Sequence, residues 1–165
     1  MIIMDAEQQH SDITVQFAKS FNEIDVSFSK LEELIKTTCR QFELFEAIVS
    51  VAIVDDNDIT EVNKQFLNRS KITDCISFDL SDHNPDSPKV FDLVVNGEMA
   101  QRLAQLRSIS AEAELALYVI HALLHNLGFD DATQEQAKKM HNTEDKILQQ
   151  QGFGLVYNKR INAQQ

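Results

Sequence analysis

From Ser110 to Gly128 the chain carries a segment that has to lie at the centre of whatever it folds into. Leu115, Leu117, Val119, Ile120, Leu123, Leu124 and Leu127 leave a helix apolar nearly all round, and such a helix needs cover on every side. Ser110 suits an N-cap, and Glu112 and Glu114 suit the helix dipole in the first turns. Gly128 can end the helix in a left-handed conformation. Two histidines interrupt the apolar surface. His121 and His125 are four residues apart, so both imidazoles fall on one face, one turn apart. This is the spacing at which two helical histidines can hold one metal ion. Asp130 and Asp131 follow the glycine at once, so a carboxylate can return to the same ion. Two imidazoles and a carboxylate leave open positions for water, as a catalytic metal requires. The plainer alternative for each histidine is a satisfied core residue.

The residue after His121 narrows the chemistry. Zinc peptidases of the His-Glu-x-x-His type need a glutamate there as general base. This chain has Ala122, so a peptidase would lack its proton acceptor.

The segment Ile120–Asp131 resembles the signature of the YbeY family of rRNA maturation factors, His-Gly-x-Leu-His-Leu-x-Gly-Tyr-Asp-His. His121, Leu124, His125, Gly128 and Asp130 match in place, and Phe129 replaces the tyrosine conservatively. Ala122 stands for the glycine, Asn126 for the second leucine, and Asp131 for the family's third metal-binding histidine. Thr73-Asp74-Cys75-Ile76-Ser77-Phe78 is similar to the family's Thr-Asp/Asn-Val-Leu-Ser-Phe strand. Asn63 and Phe66 match its Asn-x-x-Tyr/Phe element, although Leu67 takes the place of an arginine, with Arg69 two residues on. Phe91–Val95 is similar to a Gly-Asp-Ile-Val-Ile strand without its glycine. Met140, Glu144, Ile147, Leu148 and Gly152 fit the family's last helix.

The resemblance implies one YbeY-like metallohydrolase domain over residues 1–165. It implies a metal-dependent single-strand endoribonuclease of rRNA maturation and ribosome quality control. His121, His125 and Asp131 would hold one divalent ion, zinc by expectation, and Arg69 would stabilise phosphate charge as the catalytic cation. Ribosomal RNA and small-subunit ribosomal proteins would be the partners. Two other readings stand beside it: a ribosome-assembly or RNA-binding factor with a degenerate metal site, and another metallohydrolase.

The remaining features fit a cytoplasmic α+β protein. No apolar run is long enough to span a bilayer, and the acidic start Met1–Glu7 lacks the basic region of a secretory signal. Cys39 and Cys75 form no C-x-x-C pair and are expected as buried free thiols in a reducing compartment. No Gly-rich phosphate loop is present, so no nucleotide cofactor is expected. The net charge of −11 argues against bulk electrostatic binding of nucleic acid, because phosphates need Lys or Arg. It leaves room for a local basic patch from Lys64, Arg69, Lys71, Arg102 and Arg107.

Alternation at Ile13, Val15 and Phe17 predicts a first strand, and Ile48–Val54, Cys75–Leu80 and Val90–Val95 predict three more. Together they predict a small mixed sheet of about four strands, a typical size, packed with helices. Ser29 with Glu32, Asp58 with Glu61, Asn96, and Thr133 with Gln136 read as helix starts. The helices so begun would bury Leu31, Leu34, Ile35, Cys39 and Phe42; Ile59, Val62 and Phe66; and Met99, Leu103 and Leu106. Ser81–Pro88 reads as a mobile loop of the kind that can cover an active site. Glu114, seven residues before His121, can reach a ligand histidine or serve the helix dipole. His10, His83 and His141 read as solvated or structural, and Thr73 and Ser77 as strand hydroxyls.

Overall fold

The computed structural model describes residues 11–158; His10 lies outside them. Nine elements follow in order: β1 (Asp12–Lys19), α1 (Phe28–Gln41), β2 (Glu46–Val54), α2 (Asp56–Leu67), β3 (Cys75–Asp79), β4 (Lys89–Asn96), α3 (Gly97–Arg107), α4 (Ala111–Asn126) and α5 (Gln134–Gln150). The strands make one mixed sheet in the order β1-β2-β4-β3. β1 and β4 flank β2 in parallel, and β3 pairs antiparallel to β4 at the edge. The α+β fold with four strands and a central histidine helix is the one expected.

Period-two alternation decides which sheet face is covered. Ala47, Val49, Val51 and Ile53 of β2, with Phe91, Leu93 and Val95 of β4, are fully buried and share one core with Leu31, Leu34 and Ile35 of α1. Helix α4 lies against β3 and β4 on this side, with α1, α3 and α5 as further neighbours. Its residues from Ala113 to Ile120 and from Ala122 to Leu124 are buried without a break. An all-round apolar sequence has found all-round cover.

Two helix starts lie two or three residues earlier than their capping signals imply. The N-cap of α1 is Ser27, which accepts from the Lys30 amide, not Ser29. That of α2 is Asp55, accepting from the Asp58 amide, not Asp58 itself. In both cases an earlier acceptor side chain reaches the first free amides. Asn96, Ser110 and Thr133 cap as expected, Thr133 in a reciprocal box with Gln136. Two apolar faces are also smaller than their spacing predicts. Phe66 is 60% exposed and Leu106 76% exposed. Phe66 packs edge-on against Phe78 of β3 at 5.4 Å and stays open on its other side, and α3 buries Gly97, Ala100 and Ala104 instead.

The Ser81–Pro88 segment is not a free loop. Asp79, Asp82 and Asn84 side chains each accept the amide two residues on, and Ser81 Oγ accepts from Val90 N. These are Asx turns. The segment joins β3 to β4 at the end remote from Cys75.

Gly97 opens α3 where the C-terminal end of β2 and Phe21 converge. A Cβ there would stand 2.8 Å from Ile53 Cγ2 and 3.0 Å from Phe21 Cδ1. Gly97→Ala is expected to lose about 1–3 kcal/mol from overpacking, against a helix-propensity gain below about 1 kcal/mol. Urea unfolding should therefore show a lower midpoint at unchanged slope.

Candidate metal centre

The two histidines are aimed by different partners. His121 Nδ1 lies 2.6 Å from Glu144 Oε1, on α5. His125 Nδ1 lies 3.2 Å from the Phe129 carbonyl. That carbonyl is placed by the helix end: Gly128 is left-handed (φ 100°), and Phe129 N bonds back to Leu124 O at 2.9 Å, as in a Schellman turn. A carboxylate and a carbonyl only accept, so each Nδ1 carries the proton. Each neutral imidazole then presents a bare lone pair at Nε2, the arrangement metal-binding histidines favour.

Those two Nε2 atoms stand 3.1 Å apart. Asp131 Oδ2 is 3.5 Å from one and 3.8 Å from the other. With both rings neutral, three acceptors converge, and a cation or a proton on a ring relieves their repulsion. Two nitrogens bound to one tetrahedral ion at about 2.0–2.1 Å would themselves lie roughly 3.3 Å apart. The donor set fits a single ion. Asp130 is not among the converging residues; its carboxylate accepts the Asp131 amide and shapes the turn.

Glu144 is the central residue that sequence reasoning did not assign to the site. It is fully buried and also accepts from His141 Nδ1 at 2.8 Å, while His141 stacks on Tyr157 at 3.6 Å. Burial alone would raise the Glu144 carboxyl, but the two imidazole bonds outweigh it and hold the group below its ordinary value. Burial likewise works against charge on His121. The Glu144 bond and charge, with Asp74 and Asp131, win and raise it. The available signal was an acid in the apolar register of α5, between Met140 and Ile147-Leu148.

Other candidates are reassigned. Glu114 is not near His121; it is buried against Arg107 (2.7 Å) and the Tyr118 hydroxyl (2.9 Å). Arg107 is therefore unavailable to a basic patch, and Arg102 is held by Asp56 at 3.0 Å. Glu112 reaches across to α1, accepting the Ser27 amide at 2.6 Å. Cys39 is a buried thiol, but Cys75 is only partly buried. Burial, then Asp74 and Glu144, push its thiol well up, so it stays protonated.

A groove of about 400 Å³ runs from His125 along the free side of edge strand β3. Asn63, Leu67, Arg69, Lys71, Thr73, Ser77 and Asn126 are among its walls. No residue of the Ser81–Pro88 segment lines it. Arg69 follows the left-handed Asn68 that ends α2. Its loop is tied twice: the buried Asn63 donates to Lys71 O at 2.9 Å, and the buried Asn96 donates to Thr73 O at 3.1 Å.

A buried two-histidine helix, a returning carboxylate and an adjoining groove with cations unpaired among the described residues make a site that could hold one metal ion, as in a metallohydrolase. Comparison with known proteins places it more closely. Residues 6–152 match the family model described as Endoribonuclease YbeY. A protein of that name from Staphylococcus saprophyticus is 34% identical, over 81% of this chain and 87% of its own. One from Staphylococcus aureus is 31% identical, over 78% and 89%. The chain belongs to the endoribonuclease YbeY family. The solution structure of a protein from Thermotoga maritima shares the fold, with a TM-score of 0.51 and 23% identity over 84% of this chain and 90% of that one. No helix among the described residues is long and apolar enough to cross a membrane.

Proposed function

We infer that this protein is a metal-dependent endoribonuclease that processes ribosomal RNA. Family membership supports the activity. The observation that carries the metal chemistry is the meeting of His121 Nε2, His125 Nε2 and Asp131 Oδ2 within 4.8 Å of one another. These three residues would hold one divalent ion, zinc on the balance of two imidazoles and one carboxylate. Bound there, the ion supplies positive charge for a scissile phosphate and makes water more acidic. Glu144 and the Phe129 carbonyl hold the imidazoles in place. Arg69, exposed in the same groove as His125, binds phosphate. The groove along β3 takes an unpaired strand, and small-subunit ribosomal proteins bring the enzyme to its RNA despite the acidic surface. The carboxylate in place of a third imidazole favours harder ions, so Mn²⁺ and Mg²⁺ should compete better than at a three-histidine site.

The test is cleavage of an unstructured RNA with chelator, without it, and after each ion is restored, alongside elemental analysis of wild type, Asp131→Ala and Asp131→His. Chelator-sensitive cleavage and loss of the ion in Asp131→Ala are expected. Equal metal content in Asp131→Ala and wild type would remove Asp131 from the ligand set. A second reading rests on Asp131 and on Leu67 at the family's arginine position: a binding factor without catalysis. Metal-free wild type, with occupancy restored by Asp131→His, would establish it.

A further inference from the structure

Asn126 lines the groove directly after His125, at a position where the family signature has a leucine, and the chemistry above gives it no task. Its Nδ2 donates to the Phe78 carbonyl at 3.3 Å. A carbonyl only accepts, so this bond settles which end of the amide is nitrogen. The same bond anchors the side chain between α4 and β3. One N–H and the Oδ1 acceptor are left over, with no partner among the described residues.

The groove itself says what kind of ligand meets that amide. Arg69 and Lys71 line it and make no ion pair among the described residues, unlike Lys30, Lys36, Arg102 and Arg107. In a chain of net charge −11, two free cations beside a metal site mark a path for phosphates. A donor next to an acceptor matches a ribose 2′-hydroxyl, which is both, and equally a base edge such as adenine N6/N7.

We propose that Asn126 is a positioning residue for RNA, its free amide edge hydrogen-bonding the nucleotide that adjoins the phosphate at the metal site. The proposal rests on the endoribonuclease reading for its substrate. A leucine at this position could pack against a nucleotide but not select one.

Binding measured by fluorescence anisotropy in chelator keeps the test apart from catalysis. The probes are a mixed-sequence single-stranded RNA, its 2′-deoxy counterpart, and the same RNA with abasic ribose at alternate positions. Wild type should prefer the intact RNA over one of the altered strands by about fivefold more than Asn126→Leu does, the worth of one net hydrogen bond. Asn126→Ser, too short to reach the Phe78 carbonyl, should behave like leucine and guards against a folding defect in either variant. A preference lost with the deoxy strand assigns the contact to the sugar; one lost with the abasic strand assigns it to the base. Identical preferences in wild type and both variants would overturn the proposal. A wild type that binds with this coupling but cuts nothing when metal is restored would overturn the nuclease reading and leave the Asn126 contact standing.

Discussion

Replacing Glu144 with glutamine is expected to weaken metal binding about 10–100-fold at neutral to alkaline pH, the usual cost of removing a carboxylate behind a metal-ligating histidine. Glutamine can still accept from His121 Nδ1, so the ring keeps its place. What disappears is the negative charge that makes Nε2 a stronger base. The pH dependence separates this from a packing defect. In the metal-free wild type, Glu144 holds the His121 pKa above its ordinary value, so a proton competes with the ion as pH falls through that raised pKa. Without the charge, burial dominates and the imidazole gives up its proton more readily. The deficit of Glu144→Gln should therefore be greatest at alkaline pH and shrink on acidification. The metal-free fold responds in the opposite sense. A histidine with a raised folded-state pKa contributes stability that is fully present at acid pH and lost as pH rises through that pKa. Calorimetric zinc titrations between mildly acid and mildly alkaline pH would measure the first effect. A uniform loss at every pH would mean that Glu144 acts through packing alone.

Arg107→Ala should be the most destabilising single substitution in the α3–α4 contact, by about 3–5 kcal/mol. Glu114 is fully enclosed, and its Oε1 accepts from both Arg107 and Tyr118. Its Oε2 already lacks a hydrogen-bond partner among the described residues. Truncating the arginine leaves a buried carboxylate with one neutral donor. The double variant Arg107→Leu/Glu114→Leu removes both charges and should recover most of the loss, since a buried ion pair can often be replaced by apolar side chains of similar size. Urea unfolding of the three proteins decides between these outcomes. If Arg107→Ala costs no more than an ordinary surface substitution, the ion pair is not what joins the two helices.

The parts of this protein that could be read in one dimension are those where a local pattern and a tertiary need coincide. The run from Leu115 to Leu127 tolerates only a central helix. The alternating strands tolerate only a half-covered sheet, and His121, His125 and the Gly128 turn are close enough in sequence to be placed by helix geometry alone. Glu144 is different. It lies 23 residues beyond His121, and its place in the apolar register of α5 marks it as buried without saying which partner it meets. Glu114 sits on the same side of α4 as His121 by spacing, yet Arg107, seven residues upstream, captures it. Phe66 and Leu106 have the correct period but remain mostly exposed, Phe66 making its ring contact with Phe78 of the edge strand. Strand order was equally out of reach, because pairing depends on crossovers that periodicity does not encode.

Asn63 and Asn96 have a consequence for how this surface can change over evolutionary time. Each is buried, and each holds the main chain of the loop after α2 rather than any of its side chains. Asn96 also caps α3 and meets Asp56. Holding the loop is thus delegated to two amides elsewhere, while residues 69–71 are left to present whatever side chains selection finds useful. A cation can migrate along such a segment, from one position to another two residues away, without the backbone having to be rebuilt. The loop is also ordered before any RNA arrives, so association need not be charged the entropy of freezing it. Arg69 and Lys71 already stand two residues apart on that held segment, and both line the groove.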